Sequence, residues 1–216
     1  MDDPALDPAE HRRALAGLAR INAVGGNGLW RPIREYARSL KRPVRILDVA
    51  CGSGDVLARI GQRAKRDGVA VELAGCDLSP TAIQTARERA GTTAAFHICD
   101  AIQTELPGVF DVVTCSLFLH HLDEPDAIRL LQRMNAVSEG LVLVSDLSRS
   151  RWNYMLVWLA CHFLTRSRVV RYDGPVSVRA AFTPREALAL AEKAGIRGAK
   201  VTGHFPARFV LAWTKT

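Results

Sequence analysis

The segment Val44–Val56 constrains the fold more than any other part of the chain. It reads Val-Arg-Ile-Leu-Asp-Val-Ala-Cys-Gly-Ser-Gly-Asp-Val. Its apolar, β-branched start is typical of a buried parallel strand. Gly52 and Gly54 let the backbone approach a ligand closely, and the start of a helix behind them presents free N–H groups. The pattern predicts a strand–turn–helix that binds a nucleotide-like ligand.

The spacing of these glycines excludes two common nucleotide motifs. A dinucleotide fingerprint, G-x-G-x-x-G, would need its third glycine at Leu57, and a P-loop would need Gly-Lys-Ser/Thr after the turn. Asp48 would repel a pyrophosphate and suits a positively charged ligand, such as an amine or a sulfonium. The alternative is an ordinary strand–turn–helix in which the acid caps the helix.

Two further predicted strands also end in an acid. Val71–Ser79 reads as a strand ending in Asp77, and Pro80–Ala90 follows as a helix with proline in its first turn. Ala94–Ala101 reads as a third strand, with Asp100 at its end. Asp77 can accept both ribose hydroxyls, and Asp100 or a neighbouring amide can meet an adenine edge. The three acids are expected along one rim of a parallel sheet, where ligands bind in open α/β folds.

With these motifs the chain resembles the class I S-adenosylmethionine-dependent methyltransferases. The similarity covers residues 44–148, although Ala50 stands where many members have glycine. The matching segments are Asp48-Val-Ala-Cys-Gly-Ser-Gly, Gly75-Cys-Asp-Leu-Ser, Cys99-Asp-Ala and Phe110-Asp-Val-Val-Thr-Cys-Ser-Leu-Phe-Leu-His-His-Leu. The first of these is similar to the form found in ubiquinone and menaquinone biosynthesis methyltransferases and in small-molecule O-methyltransferases.

The resemblance implies an α/β fold: a Rossmann-like, doubly wound, mostly parallel sheet of seven strands with an antiparallel C-terminal hairpin at its edge. It implies S-adenosylmethionine as cofactor and S-adenosylhomocysteine as product. By position, the methionine end of the cofactor would be held by Asp48, Gly52 and Gly54, and the ribose by Asp77. The adenine would be held by Asp100 and Ala101, and Ser116 would lie beside the methyl donor. Ala50, Cys51 and Leu78 complete the predicted cofactor site.

Residues 149–182 are predicted to form a cap over the acceptor site. Trp152–Leu164 is apolar nearly all round but falls short of the roughly 20 residues that span a bilayer. In the resembling family this place commonly holds a cap, which suggests a flat apolar acceptor. The predicted pocket residues are Trp152, Tyr154, Met155 and Trp158, with Phe163 beside them. The alternatives are an extra core helix, a dimer interface, or a helix lying on a membrane surface through residues 149–171.

A histidine pair supplies the candidate base. His120 and His121 follow the fourth predicted strand at the rim, and similar O-methyltransferases place a His-His pair and an Asp at their acceptor site. Asp146 matches that Asp. We expect one histidine to take the acceptor's proton and Asp146 to orient or support it. The alternative is that one histidine caps the next helix with Asp123 and the other packs passively. Clustered metal ligands are missing, so a metal-free reaction is predicted.

Composition predicts one domain and small-molecule chemistry. A chain of 216 residues suffices for a single α/β core. Its five cysteines form no C-x-x-C pair, and no apolar leader opens the sequence, which favours a reducing, cytoplasmic compartment. The net charge of +7 lacks a basic block with interleaved aromatics, so nucleic acid is not expected as a partner. Monomer and dimer both remain open.

The two ends of the chain complete the prediction. Residues 1–43 form a helical extension with helices over Pro8–Asn22 and Leu29–Leu40, separated by a glycine-rich break that is either a hinge or part of a fixed layer. A helix opens at Thr183-Pro-Arg-Glu, and two strands, Lys200–Phe205 and Arg208–Lys215, form the final hairpin.

The sequence thus predicts a methyltransferase that uses S-adenosylmethionine on a small apolar or aromatic acceptor, with transfer to oxygen favoured. C-methylation of a quinone-like precursor is the alternative within this chemistry. A module that binds the cofactor without turning it over is the alternative outside it.

Overall fold

Strands and helices alternate along the chain. The computed structural model describes residues 28–91, 93–164 and 168–215. The strands are β1 (Val44–Val49), β2 (Val71–Asp77), β3 (Ala94–Ile98), β4 (Phe110–Ser116), β5 (Ser138–Leu147), β6 (Lys200–His204) and β7 (Arg208–Thr214). The helices are α1 (Trp30–Ala37), α2 (Asp55–Asp67), α3 (Pro80–Ala90), α4 (Glu124–Val137), α5 (Arg151–Leu164), α6 (Arg168–Ala180) and α7 (Pro184–Lys193). A short 3-10 turn, Leu119–His121, follows β4.

The strands form one sheet in the order β3-β2-β1-β4-β5-β7-β6. Neighbours from β3 to β5 pair in parallel, and β7 pairs antiparallel with both β5 and β6. The predicted fold class is confirmed, including the antiparallel hairpin at the C-terminal edge. The chain order reverses on either side of β1 and β4, and their carboxyl ends therefore open the crevice where such sheets bind ligands.

The central strands are buried on both faces, which explains their nearly continuous apolar sequences. Successive residues of β4 show this division. Val113 belongs to a core with Leu131 of α4, whereas Val112 belongs to a core with Ile33 of α1 and Ile60 of α2. Helices thus cover both faces of the sheet and leave its carboxyl-terminal rim for the site.

Local capping fixes the starts of three helices. Ser79 Oγ accepts from Ala82 N at 3.2 Å at the start of α3. At α7, the predicted capping box is present: Glu186 N donates to Thr183 Oγ1, and Thr183 N donates to the Glu186 carboxylate. At α4, Asp123 Oδ1 accepts from Asp126 N at 2.9 Å. Asp123 therefore caps α4 with its own carboxylate, which removes the need for a histidine there.

Part of the predicted N-terminal extension lies outside the described residues, namely the helix over Pro8–Asn22 and most of the glycine-rich break. The second predicted helix is α1, which ends three residues before Leu40. Its Trp30 Nε1 donates to Asp67 Oδ2 of α2 at 2.8 Å, so α1 is fixed to the core at that point. The boundary at residue 43 and the hinge stay predictions.

The predicted insert contains two helices, α5 and α6, packed against each other. Gly174 permits their close approach, because a Cβ at that position would clash with Cys161 Sγ. Helix α6 also contacts the 3-10 turn, which carries the histidine pair. The insert therefore lies beside the rim. Among the described residues, no helix combines the length and the hydropathy needed to cross a bilayer.

Candidate active site

The turn after β1 combines a fixed backbone with an open surface. Ala50, Gly52 and Gly54 all have positive φ, at 54°, 53° and 71°. A Cβ on Gly54 would press against Ala86 and Phe96, at 3.2 and 3.3 Å, whereas a Cβ on Gly52 would meet no atom within 4 Å. Gly54 is thus required by packing, and Gly52 leaves space for a ligand to approach the backbone.

The carboxylate of Asp77 is held over this turn from the end of β2. Its Oδ2 accepts from Gly52 N at 2.8 Å, and its Oδ1 accepts from Ser79 N at 2.9 Å. Cys51 N donates to Cys76 O at 2.9 Å, which ties the turn to the same strand. Leu78, next along the chain, leaves 64% of its surface exposed. Asp77 and Leu78 therefore present a fixed anion beside an apolar surface.

Asp48 lies beneath the turn at the end of β1. It is 1% exposed, and its Oδ1 accepts from Thr114 Oγ1 at 2.7 Å. Burial, opposed by the Thr114 hydrogen bond and assisted by the charges of Asp55 and Asp77, raises the pKa of the Asp48 carboxyl to about 7. A buried acid of this kind is stabilised in its charged form by a cation bound nearby.

The ends of β3 and β4 complete this side of the rim. Asp100 Oδ1 accepts from Ile102 N and Gln103 N at 2.8 and 3.0 Å, which orders the loop behind it, and Ala101 is buried in that loop. Ser116 is half-buried at the end of β4, and the chain then turns sharply at Leu117, which has a φ of 57°. Because β2, β1 and β4 are neighbours, their ends border the glycine turn together.

His120 and Asp146 form a buried pair at the ends of β4 and β5. His120 Nδ1 lies 2.5 Å from Asp146 Oδ1, and His120 N donates to Asp146 Oδ2 at 3.2 Å. Leu147 N donates to Oδ1 at 2.6 Å. Burial alone would raise the pKa of Asp146, but the charge of His120 and these hydrogen bonds outweigh it and hold that pKa below its ordinary value.

The structure separates the roles of the two histidines. His120 is buried, whereas His121 is exposed and packs its ring 4.2 Å from that of His120. An ionised carboxylate can only accept, so we assign the shared proton to His120 Nδ1. When the imidazole is neutral, His120 Nε2 is then an acceptor, which is the state that a general base requires.

The four predicted pocket residues of α5 do not share one face. Tyr154 and Trp158 lie one turn apart, and Tyr154 borders a pocket of about 480 Å³ together with Arg149, Arg151 and Arg179. Trp152 and Met155 lie on the outer face instead, with 73% and 43% of their surfaces exposed. Trp158 is 43% exposed as well, so Tyr154 is the one of the four that borders this pocket, and an acceptor site lined by all four stays a prediction.

Arg208 is a rim residue that the sequence analysis missed. It opens β7 beside Leu147 of β5 and is buried. Burial lowers its pKa to about 10, although the charge of Asp146 acts in the opposite direction. The signal in the sequence was an arginine directly before the apolar run of β7, but an arginine at such a place is usually exposed, so its burial could not be read from the sequence.

Comparisons with known proteins agree with this geometry. Residues 46–139 match the family described as "Methyltransferase domain". The chain is 33% identical over 123 residues to the ubiquinone biosynthesis O-methyltransferase of Methylococcus capsulatus, which covers 56% of this chain and 51% of the relative. It is 30% identical over 132 residues to the demethylmenaquinone methyltransferase of Deinococcus radiodurans, with 59% and 53% covered.

Over residues 46–139, the chain is thus similar to a methyltransferase domain.

The fold of the chain has counterparts among solved structures. It matches a SAM dependent methyltransferase from Aquifex aeolicus with a TM-score of 0.65 and 16% identity, over 98% of this chain and all of the other. The chain spans about half the length of the two curated relatives. Its own acceptor and reaction are therefore matters for proposal.

The described residues of the chain fit S-adenosylmethionine. Gly52 leaves room over the backbone, Asp77 can reach vicinal hydroxyls, and Leu78 offers apolar surface to a nucleobase. The buried Asp48 suits a sulfonium. Within residues 28–91, 93–164 and 168–215, no group of three or more His, Cys, Asp or Glu side chains could hold a metal ion.

Proposed function

We propose that this methyltransferase transfers the methyl group of S-adenosylmethionine to a hydroxyl oxygen of a small apolar or aromatic acceptor. The contact of 2.5 Å between His120 Nδ1 and Asp146 Oδ1 carries the proposal. It lies on the strand ends next to the glycine turn, where an acceptor can meet the cofactor. A phenol or alcohol must lose a proton as its oxygen attacks, and histidine is the side chain most often used to take it.

Within the site, His120 accepts the hydroxyl proton at Nε2 while Nδ1–H remains donated to Asp146. The carboxylate stabilises the imidazolium that forms and fixes the ring's orientation. Bound S-adenosylmethionine supplies a methyl group activated on a sulfonium. Alignment of the acceptor oxygen with that methyl carbon, and exclusion of water, provide the rest of the acceleration. No metal takes part.

Two features support an apolar acceptor in a reducing compartment. One curated relative is named for ubiquinone biosynthesis and the other for demethylmenaquinone, and Tyr154 and Trp158 lie one turn apart on α5 of the insert. All five cysteines are free, and four of them are buried, which suits the cytoplasm.

C-methylation of a quinone-like ring is the second candidate. The demethylmenaquinone methyltransferase relative favours it. His120 would then remove a ring hydroxyl proton, and the phenolate would attack through carbon instead of oxygen. Mass spectrometry after treatment with hydriodic acid distinguishes the two products, because this acid cleaves a methyl ether and leaves a methylated ring intact.

The test is S-adenosylhomocysteine production with phenols, polyketide-like aromatics and hydroquinones. His120→Ala is expected to lower kcat by about 10²- to 10⁴-fold, the usual contribution of a general base. His121→Ala should mainly raise the KM for the acceptor, because the His121 ring is exposed and packs against the ring of His120. His97→Ala is the matched control, since His97 is exposed on β3 away from the pair.

Cofactor affinity, measured by calorimetry, should be equal in the three variants. Full turnover in His120→Ala would remove the proposed mechanism. Binding of S-adenosylmethionine without turnover of any acceptor would favour a non-catalytic binding module. Loss of activity in EDTA that magnesium restores would contradict the metal-free reaction.

A further inference from the structure

The outer face of α5 carries a continuous row of exposed apolar side chains. Its members follow helical spacing and are all at least about one-third exposed: Trp152, Met155, Leu156, Leu159 and Phe163. Trp152 and Phe163, at the two ends of the row, are 73% and 83% exposed. The row contains no charged residue, and we call it the outer row.

The outer row does not serve the packing of the insert. Val157 and Cys161 lie on the opposite side of α5, against Gly174 of α6. Cys161 is 2% exposed, so the contact between the two helices is made by that inner side. An exposed apolar patch of this kind marks an interaction surface more often than a folding requirement.

Arginines lie near both ends of α5, and one of them, Arg179, is held over the Tyr154 ring at 4.8 Å. Arg149, Arg151 and Arg179 line the pocket at the start of α5, and Arg171 donates to His162 O at 3.0 Å near its end. Arg149 pairs with Glu186, whereas Arg151 and Arg179 make no ion pair within the part of the chain that the structure describes. The sequence has no acid between Asp146 and Asp173.

We propose that the outer row docks on an anionic membrane surface, with the arginines among the lipid phosphates. A helix with an apolar face and flanking basic residues lies in the interface plane, and its apolar side chains enter the boundary between headgroups and acyl chains. Arginines near such a surface add electrostatic attraction. Charge and apolar surface therefore favour the same partner.

The charge also disfavours a second copy as the occupant. Two chains that met through this face would add the positive charges of both copies to one interface, and like charges oppose association. Lipid phosphates supply the opposite charge. Because α6 contacts the 3-10 turn, docking would also place the rim near the bilayer, from which an apolar acceptor could be drawn. That consequence rests on the proposed function, but the docking does not.

Sedimentation with vesicles tests the proposal, using the full chain without cofactor or acceptor. One vesicle preparation is phosphatidylcholine alone, and the other is an equal mixture of phosphatidylcholine and phosphatidylglycerol. We expect at least about tenfold tighter binding to the mixed vesicles, and loss of binding in about 1 M salt, which shortens the Debye length to roughly 3 Å.

Two variants separate the contributions, and one serves as the control. Trp152→Gln/Phe163→Gln should weaken binding about tenfold or more, since two large apolar side chains are lost from the interface. Arg151→Gln/Arg179→Gln should weaken binding to the mixed vesicles only. Val109→Gln removes a side chain that is 47% exposed at the opposite end of the strands, and it should bind like the wild type.

Tryptophan fluorescence reports insertion directly. Trp30 and Trp213 are buried, so a blue shift on adding mixed vesicles must come mainly from Trp152 and Trp158. We expect this shift, and its reduction in Trp152→Phe. No binding to either vesicle, unchanged binding by the apolar double variant, or a dimer in solution that this variant dissociates would each overturn the proposal.

Discussion

The glycine turn after β1 and the outer row of α5 meet solvent in opposite ways. At the turn, the backbone is fixed by local contacts: Asp77 accepts from Gly52 and Ser79, and Gly54 packs against α3 and β3. On the outer row, Trp152 and Phe163 are mostly exposed. The comparison teaches that one region is shaped in advance for a small ligand, whereas the other presents apolar surface that only a larger partner can cover.

The largest expected effect concerns the buried pair of His120 and Asp146. Asp146→Asn keeps the shape of the side chain but removes the anion that stabilises the His120 imidazolium. We expect kcat to fall by about 10²- to 10⁴-fold while the Kd for S-adenosylmethionine stays within about twofold. Asp126→Asn, half-buried in the first turn of α4 and paired with Arg129, is the control. Equal losses of kcat and cofactor affinity would indicate that Asp146 supports the fold of the rim and not the chemistry.

The glycine turn and α5 also differ in how well their residues could be predicted from the sequence. Asp48, Asp77 and the two glycines could be predicted because the backbone requirements of the turn leave a local signature. The pairing of His120 with Asp146 was predicted only as a choice between two histidines, since a 3-10 turn decides which ring is buried. Arg208 was missed because its neighbours come from β5, distant in sequence. The four residues of α5 were assigned to one pocket because an all-round apolar helix does not reveal which side is covered.

A smaller effect tests whether the turn is shaped for a nucleoside. Asp77→Ala removes the acceptor of two backbone N–H groups and of the expected ribose hydroxyls, so S-adenosylhomocysteine affinity should fall about 100-fold, as expected for the loss of hydrogen bonds to a charged group. Calorimetry measures this. Glu72→Ala, exposed on the same strand, should bind normally. If both variants bind alike, the ligand of the turn is not held by Asp77.

The buried acid at the turn should also control stability. The pKa of Asp48 is about 7 in the folded chain and near 3.8 ordinarily, so the folded state holds this proton more strongly. The protonated carboxyl of Asp48 makes its full contribution to the free energy of unfolding below about pH 4. This contribution is lost as the pH rises from about 4 through 7.

Asp48→Asn cannot ionise and should be more stable than the wild type at pH 8 by on the order of 4 kcal/mol, with little difference at pH 4. Denaturant unfolding at both pH values measures this. Its affinity for S-adenosylmethionine should fall, because the sulfonium loses a nearby anion. A variant that is less stable at pH 8 would show that the carboxylate is needed for the fold.

The smallest expected effect concerns the outer row, and a pair of tryptophans tests it. Trp152→Ala should change the free energy of unfolding by no more than about 0.5 kcal/mol, as surface substitutions do. Trp30→Ala should cost about 3 kcal/mol or more, because Trp30 is buried and bonds to Asp67. Denaturant unfolding of both variants without vesicles measures the contrast. A large loss in Trp152→Ala would mean that the chain itself covers the outer row, since a side chain left to solvent adds little to folding. A small loss would leave the row available for a partner, so that its apolar surface contributes to binding and not to the fold.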